Sequence, residues 1–306
     1  MLHSRLSGSR MAIALMAAAS AQAQDLAPRA YVITPNGLSA VTVSSAFNTG
    51  KILFDPSVPV QDANATIAAP VLSAYHSFGF LGRSANLLAS LPYAVGNFEG
   101  TVAGTFLQAY RSGLADSRVR FAINLHGGKA MSPGEYVKWH ERSLVGASLT
   151  VVIPTGQYDS AKLVNIGANR WGIKPEVGFT RRRGHWAVDG YAGAWFFTGN
   201  DSYYPGANHR TQAPFLSGEA HLGYYLGLRA WASVDANFWD GGRTSVNGIE
   251  ANDKQRNSRV GGTISLPFGK HQSLKFSYSH GAYVTIGGAF NNFNAAWQYS
   301  WLGKPW

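Results

Sequence analysis

The sequence predicts an all-β fold: a transmembrane antiparallel up-and-down β-barrel of about 12 strands. Three observations carry this expectation. The composition suits a sheet protein, segments of about ten residues alternate apolar with polar, and the connections between them alternate short with long.

Of the 306 residues only 14% are charged, 13% are aromatic, and 35 are glycine. Disorder needs more charge and fewer rings, and a helical bundle would lean on Ala, Glu, Lys and Leu. Small residues with aromatics, Thr, Ser and Val favour strands instead. Cysteine is absent, which excludes disulfides and thiolate metal sites. The net charge is +10. Apart from Arg181-Arg182-Arg183, the basic residues are spread along the chain, so no nucleic-acid partner is expected.

The chain begins with a charged stretch holding Arg5 and Arg10, an apolar run from Met11 to Ala19, and the small-residue site Ala21-Gln22-Ala23. That order is the order of a secretory signal peptide. The expected division is residues 1–23 as signal and 24–306 as a single barrel domain, with a charge of +8 once Arg5 and Arg10 are removed from the +10. No later run of about 18 apolar residues offers a spanning helix.

Strands are expected near 38–47, 70–79, 84–93, 116–126, 144–153, 169–180, 186–197, 212–224, 230–239, 258–267, 272–282 and 292–301. In SRVRFAINLH (117–126), Val119, Phe121, Ile123 and Leu125 alternate with Arg118, Arg120 and Asn124. Residues 292–301 set Phe293, Trp297, Tyr299 and Trp301 against Asn294, Gln298 and Ser300. Segment 70–79 is ambiguous, because Tyr75 and His76 exchange faces if the register slips by one. The connections 80–83, 181–185, 226–229 and 268–271 are short and fall at one end. Those at 48–69, 94–115, 154–168, 198–211, 240–257 and 283–291 are longer and fall at the other. Short periplasmic turns and long outer loops are the habit of outer-membrane barrels. Connection 127–143 departs from this, since Ser132-Pro133-Gly134-Glu135 is a helix-start signal. A short periplasmic helix is expected near 132–143.

The aromatics fit two belts on the outer face. Tyr93, Trp171, Phe196, Phe238 and Phe293 lie near the long loops, and Phe179, Trp186, Tyr224 and Trp301 near the short turns. The opposite face carries Arg118, Arg120, Arg170, Lys174, Glu176, Glu219, His221, Asp235, Arg259 and Lys275, the candidate pore-lining set. The cations in this set favour anions, and the acids offset part of that. The pattern allows either a narrow pore or a lumen closed by ion networks and the N-terminal segment. In the loops, Phe98, Phe106, Tyr203, Tyr204, Phe290 and Phe293 are candidates for an aromatic entrance.

No catalytic motif is complete. His140-Glu141 begins like a zinc-protease helix, but Leu144 stands where the second histidine belongs. Gly146-Ala147-Ser148-Leu149-Thr150 lacks the closing glycine of a nucleophile elbow. The best hydrolase set is Ser217, Glu219 and His221 with Ser233 and Asp235 across a hairpin. No cofactor, metal or catalytic residue is therefore expected.

PTGQYDSAKLVNIGANRWGIKPEVGF (154–179) resembles the bacterial family named for the MetA pathway of phenol degradation. So do GLADSRVRFAINL (113–125), GRSANLLASLPYAVGNFEG (82–100) and QRNSRVGGTISLPF (255–268). The resemblance implies an outer-membrane barrel, a transporter-like role linked to aromatic-compound breakdown, and no catalytic signature. The expected function is passive passage of small hydrophobic, aromatic or anionic solutes. A closed structural or adhesive barrel and a barrel hydrolase are the alternatives. The expected partners are outer-membrane lipid, lipopolysaccharide, small solutes and the barrel-assembly machinery. That machinery reads a C-terminal aromatic. Trp301 keeps strand register, and Trp306 follows Lys304-Pro305 out of phase, so both stand as candidates.

Overall fold

A computed structural model describes residues 26–303 except Ser57, Glu141 and Leu228. The expected signal peptide and Trp306 lie outside the described residues. In chain order the elements are β1 (Leu38–Leu53), β2 (Val60–Phe80), β3 (Arg83–Val102), β4 (Thr105–Leu114), β5 (Ser117–His126), α1 (Pro133–Lys138), β6 (Ser143–Ile153), β7 (Gly172–Arg183) and β8 (Trp186–Phe197). They continue with β9 (Asn200–Tyr203), β10 (Asn208–Gln212), β11 (Phe215–Tyr225), β12 (Trp231–Gly241), β13 (Thr244–Val246), β14 (Ile249–Glu250), β15 (Gln255–Phe268), β16 (Gln272–Val284) and β17 (Gly287–Leu302).

The wall runs β1-β2-β3-β5-β6-β7-β8-β11-β12-β15-β16-β17, every neighbour antiparallel, and β17 pairs back onto β1 from Leu38↔Leu302 to Leu53↔Gly287. β4 continues the β5 position along the same edge of β3, after a break at Ala115-Asp116. The result is a closed barrel of 12 staves with no free edge.

The alternation expected from sequence sets the two faces. All nine belt aromatics named above are exposed on the outer wall. Along β7 the outward Ile173, Val177 and Phe179 are exposed while Lys174, Glu176 and Thr180 between them are buried. The register of β2 is also settled: Tyr75 points inward to bond Thr34, and His76 meets Ser39 in the next strand at 2.9 Å. At the short-turn end β2 and β3 join through Leu81-Gly82, both at positive φ (49° and 72°), the mirror-image turn that matches strand twist.

Two expectations need correction at the other end. Segments 48–69 and 94–115 are strand for most of their length, because β1 to β4 run on past the wall as a tall paired hairpin set. Segments 198–211 and 240–257 contribute β9, β10, β13 and β14 to a separate 4-stranded sheet. In the first region the apolar side chains Ile52, Ala65, Ile67 and Phe98 turn inward, the reverse of a lipid-facing pattern, and the strands of the second are only two to five residues long, so no lipid-facing alternation announced either. The short helix is where the capping signal placed it. Ser132 Oγ accepts from the Glu135 amide, and the Glu135 carboxylate accepts from the Ser132 amide at 2.8 Å. α1 is shorter than the interval 132–143, ending at Lys138.

Candidate functional site

The lumen is occupied first by the chain's own start. Residues 26–37 form an irregular strap, with a turn at 28–31, lying across the inner wall at the short-turn half before β1 begins. It has few hydrogen-bond partners of its own, so the wall supplies them. The amides of Ala27, Arg29 and Ala30 donate to Glu219 (3.3 Å), Asp189 (3.1 Å) and the Tyr191 hydroxyl (3.0 Å). The Tyr31 hydroxyl lies 2.9 Å from both Ser148 Oγ and a Glu176 carboxylate oxygen. Its ring sits where the wall has no side chains: a Cβ on Gly146 or Gly178 would fall 2.3 or 2.1 Å from it. Ile33 then packs with Met131 and Leu144, and Asn36 and Gly37 bond the carbonyls of Met131 and Ser77.

Around the strap the charged residues form one linked network. Lys174 pairs with Glu176 and lies 3.5 Å from Glu219. His221 is held between Asp235 (2.8 Å from Nδ1) and Glu219 (3.4 Å from Nε2), with both its side chain and that of Asp235 fully buried. Thr263 donates to the other Asp235 oxygen at 2.7 Å. Arg120 stacks on Tyr31 at 4.9 Å, faces Glu176 at 3.9 Å and approaches the Ala30 carbonyl at 3.4 Å. Ser217 turns to the Gly193 carbonyl at 3.5 Å. With carboxylates beside both of its nitrogens, His221 bridges Asp235 and Glu219, and the Ser217 hydroxyl is directed to a carbonyl instead of to the ring.

The rest of the expected set is dispersed over the same inner face. Arg118 is half-buried on β5, and Lys275 is exposed on β16 opposite Ser265 and Ala296. Arg259 donates to Ser279 at 3.0 Å and to the Phe290 carbonyl at 3.4 Å. Arg170 stands at the long-loop mouth, hydrogen-bonded to Gln212 and 4.2 Å over the Phe197 ring. Its Nη1 is buried with no hydrogen-bond partner among the described residues. Arg210 from β10 lies near it, over the Tyr203 ring at 5.5 Å.

Alternation already set Asn294 on the polar face; the structure adds which half of the lumen such residues line and what stands above them. On β1, β2, β3, β16 and β17 the inner face carries short polar groups, including Thr42, Ser44, Ser73, Ser90, Ser277 and Asn294, all only partly buried. This half of the lumen is therefore accessible, whereas the network half is filled. Above it, at the long-loop end, Ile52, Ile67, Phe98 and Phe290 pack inward with Val164 from the β6–β7 connection. Opposite them Trp195, Phe215 and Trp239 form a second inward cluster with Phe197. Of the candidate entrance aromatics, Phe98, Tyr203 and Phe290 point inward and are buried, while Phe106 and Phe293 are exposed on the outside. Asp116, in the break between β4 and β5, accepts from the amides of Gly156 (2.9 Å) and Ala168 (2.8 Å) and so pins the β6–β7 connection over the mouth.

No functionally curated protein matches the chain. Among solved structures, the COG4313 outer membrane channel from Pseudomonas putida F1 matches with a TM-score of 0.74 at 17% identity, covering 90% of this chain and 100% of that one. The transport unit of the autotransporter AIDA-I from Escherichia coli matches with a TM-score of 0.50 at 8% identity, over 97% of each chain. At such identities the likeness is one of fold, that of an outer-membrane barrel. The family described as "Putative MetA-pathway of phenol degradation" matches residues 41–296, nearly the whole barrel wall, and the chain belongs to that family.

Proposed function

We propose that the protein is an outer-membrane channel through which small solutes with an apolar or aromatic body and an anionic group diffuse. The observation that carries this reading is the division of the lumen. An apolar collar at the long-loop end leads to a half lined by short hydroxyl and amide side chains, beside a half sealed by the strap. A solute with an aromatic ring shelters it against Phe98, Phe290, Trp195 and Trp239, then crosses a wetted surface that holds it weakly. The family's link to phenol breakdown suits such a solute. The candidate pore-lining residues divide their tasks in this reading. Lys174, Glu176, Glu219, His221, Asp235 and Arg120 neutralise one another and hold the strap. Anion preference falls to Arg170 and Arg210 at the mouth, with Arg118, Arg259 and Lys275 below them. The leader at residues 1–23 carries the chain out of the cytoplasm, and the short-turn end faces the periplasm.

Single-channel recording in planar bilayers tests the proposal. Discrete, salt-dependent steps with anion preference are expected, reduced by benzoate added on the long-loop side. The filled half of the lumen favours a second reading, a closed barrel with a structural role, and electrical silence would establish it over the channel.

A further inference from the structure

The basic residues look dispersed along the sequence, but the fold gathers many of them at one end. The β2–β3 turn brings Arg83, and the β5–β6 connection brings Lys129, Lys138 and Arg142. The β7–β8 turn brings Arg181, Arg182 and Arg183, the β11–β12 turn Arg229, and the β15–β16 turn Lys270. All but the half-buried Arg182 are exposed. Against these nine cations the same turns and connection hold Glu135, already engaged in the α1 capping box, and, in sequence, Glu141, while Asp189 of β8 points inward to the strap. The long-loop end differs, since carboxylates offset much of its exposed charge: Asp240 lies beside Lys254 and Arg256, Glu250 beside Arg243, and Asp159 beside Lys162, while Arg170 is buried and Arg210 half-buried.

Part of this collar faces lipid rather than the lumen. On β7 the exposed outer face continues from Val177 and Phe179 to Arg181 and Arg183. Arg181 therefore lies about 7 Å beyond the belt ring of Phe179, at headgroup depth. Arg183 stands opposite Trp186 in the strand pairing, and Trp186 is packed edge-on to Tyr224 at 4.9 Å. A planar guanidinium beside an interfacial indole is suited to grip a phosphate diester while the rings anchor the acyl boundary.

We propose that this collar, with Arg181 and Arg183 at its outer edge, binds the phosphates of anionic phospholipids in the leaflet at the short-turn end. The proposal rests on the reading that the barrel spans the outer membrane, and it does not require that solutes pass. Charge complementarity and continuity with the aromatic belt select phospholipid as the occupant.

The test is native mass spectrometry of the folded barrel in detergent with equal amounts of phosphatidylglycerol and phosphatidylcholine of the same chains. Heat-modifiable gel migration confirms folding of each variant. Wild type should retain phosphatidylglycerol preferentially. Arg181→Gln and Arg183→Gln should each lower that preference by about fivefold, the effect of one basic residue at an anionic surface. Lys254→Gln with Arg243→Gln, at the opposite end, should leave it intact. Equal retention of the two lipids, or a preference untouched by the β7 variants, overturns the proposal. Full displacement of the lipid by millimolar inorganic phosphate also overturns it, because the collar would then be a free-anion site. Conductance recorded on the same variants keeps the two readings apart. Steps without lipid preference sink the collar alone, and silence with lipid preference sinks the channel alone.

Discussion

Tyr31 has nowhere to lie except against Gly146 and Gly178, whose missing side chains make room for its ring. Gly178→Ala puts a methyl group into that ring. Overpacking of this kind costs about 1–3 kcal/mol, so the urea midpoint of heat-modifiable migration should fall. The strap should also lift, and single-channel steps should grow. Unchanged conductance would mean that the strap does not limit the bore. Tyr31→Phe keeps the ring and removes the hydroxyl shared by Ser148 and Glu176, for a loss of about 1 kcal/mol with conductance unaltered. Residues such as Glu176, Glu219 and Asp235 were legible because a charge at every second position of an apolar strand marks the wet face. Tyr31 was not, since it precedes the first alternating segment and reads as linker. Trp195-Phe196-Phe197 hides the contacts of its inward members for another reason. Placing Phe196 outward turns Trp195 and Phe197 inward, but no period along one strand says that those rings meet Phe215 of β11 and Trp239 of β12.

At the level of elements, a strand was legible where one of its faces meets hydrocarbon and illegible where both meet water. The twelve staves follow the first condition; the short strands β9, β10, β13 and β14 follow the second, and the upper parts of β2 and β3 turn their apolar side inward to Phe290 and Val164 instead of outward to lipid. Helix α1 was found by chemistry rather than period, through its cap, and that cap makes it pH-dependent. Hydrogen bonds from the Ser132 amide and hydroxyl hold the Glu135 carboxyl below its ordinary value of 4.5. A carboxyl whose pKa is depressed on folding stabilises the fold above its unfolded pKa, and that contribution is lost as pH falls through the folded value. Amide-exchange protection in α1 should therefore be constant near neutrality and decline below about pH 4.5. Ser132→Ala, which keeps the amide donor and loses the hydroxyl, should weaken this pH dependence, Glu135→Gln should remove it, and a pH-independent profile in wild type would show that the cap is not formed.

For the whole molecule, the arrangement is that of a soluble domain turned inside out. Ionisable groups are buried with one another in the centre, and rings and aliphatic chains cover the outside. Burying charges is costly unless each has a partner, and the chain of contacts from Lys174 through Glu219 to His221 and Asp235 provides them. Breaking it from one side, as in Asp235→Ala, strips the buried His221 Nδ1 and Thr263 hydroxyl of their acceptor, leaves Glu219 at 3.4 Å as the carboxylate beside the ring, and should cost about 3–5 kcal/mol in urea unfolding. A cost under 1 kcal/mol would show that water already reaches the pair. Sequence pattern exposed the inversion itself. It did not expose the sorting of charge by end, because turns distant in the chain meet only once the wall closes.

The uneven ends give the tube the makings of an electrical diode. With exposed positive charge crowded around one opening and exposed charge largely offset by carboxylates at the other, mobile anions accumulate more at the first mouth, and current should flow more readily under one voltage polarity. In about 0.1 M salt the currents at opposite potentials should differ, and at about 1 M, where screening shrinks to some 3 Å, they should converge.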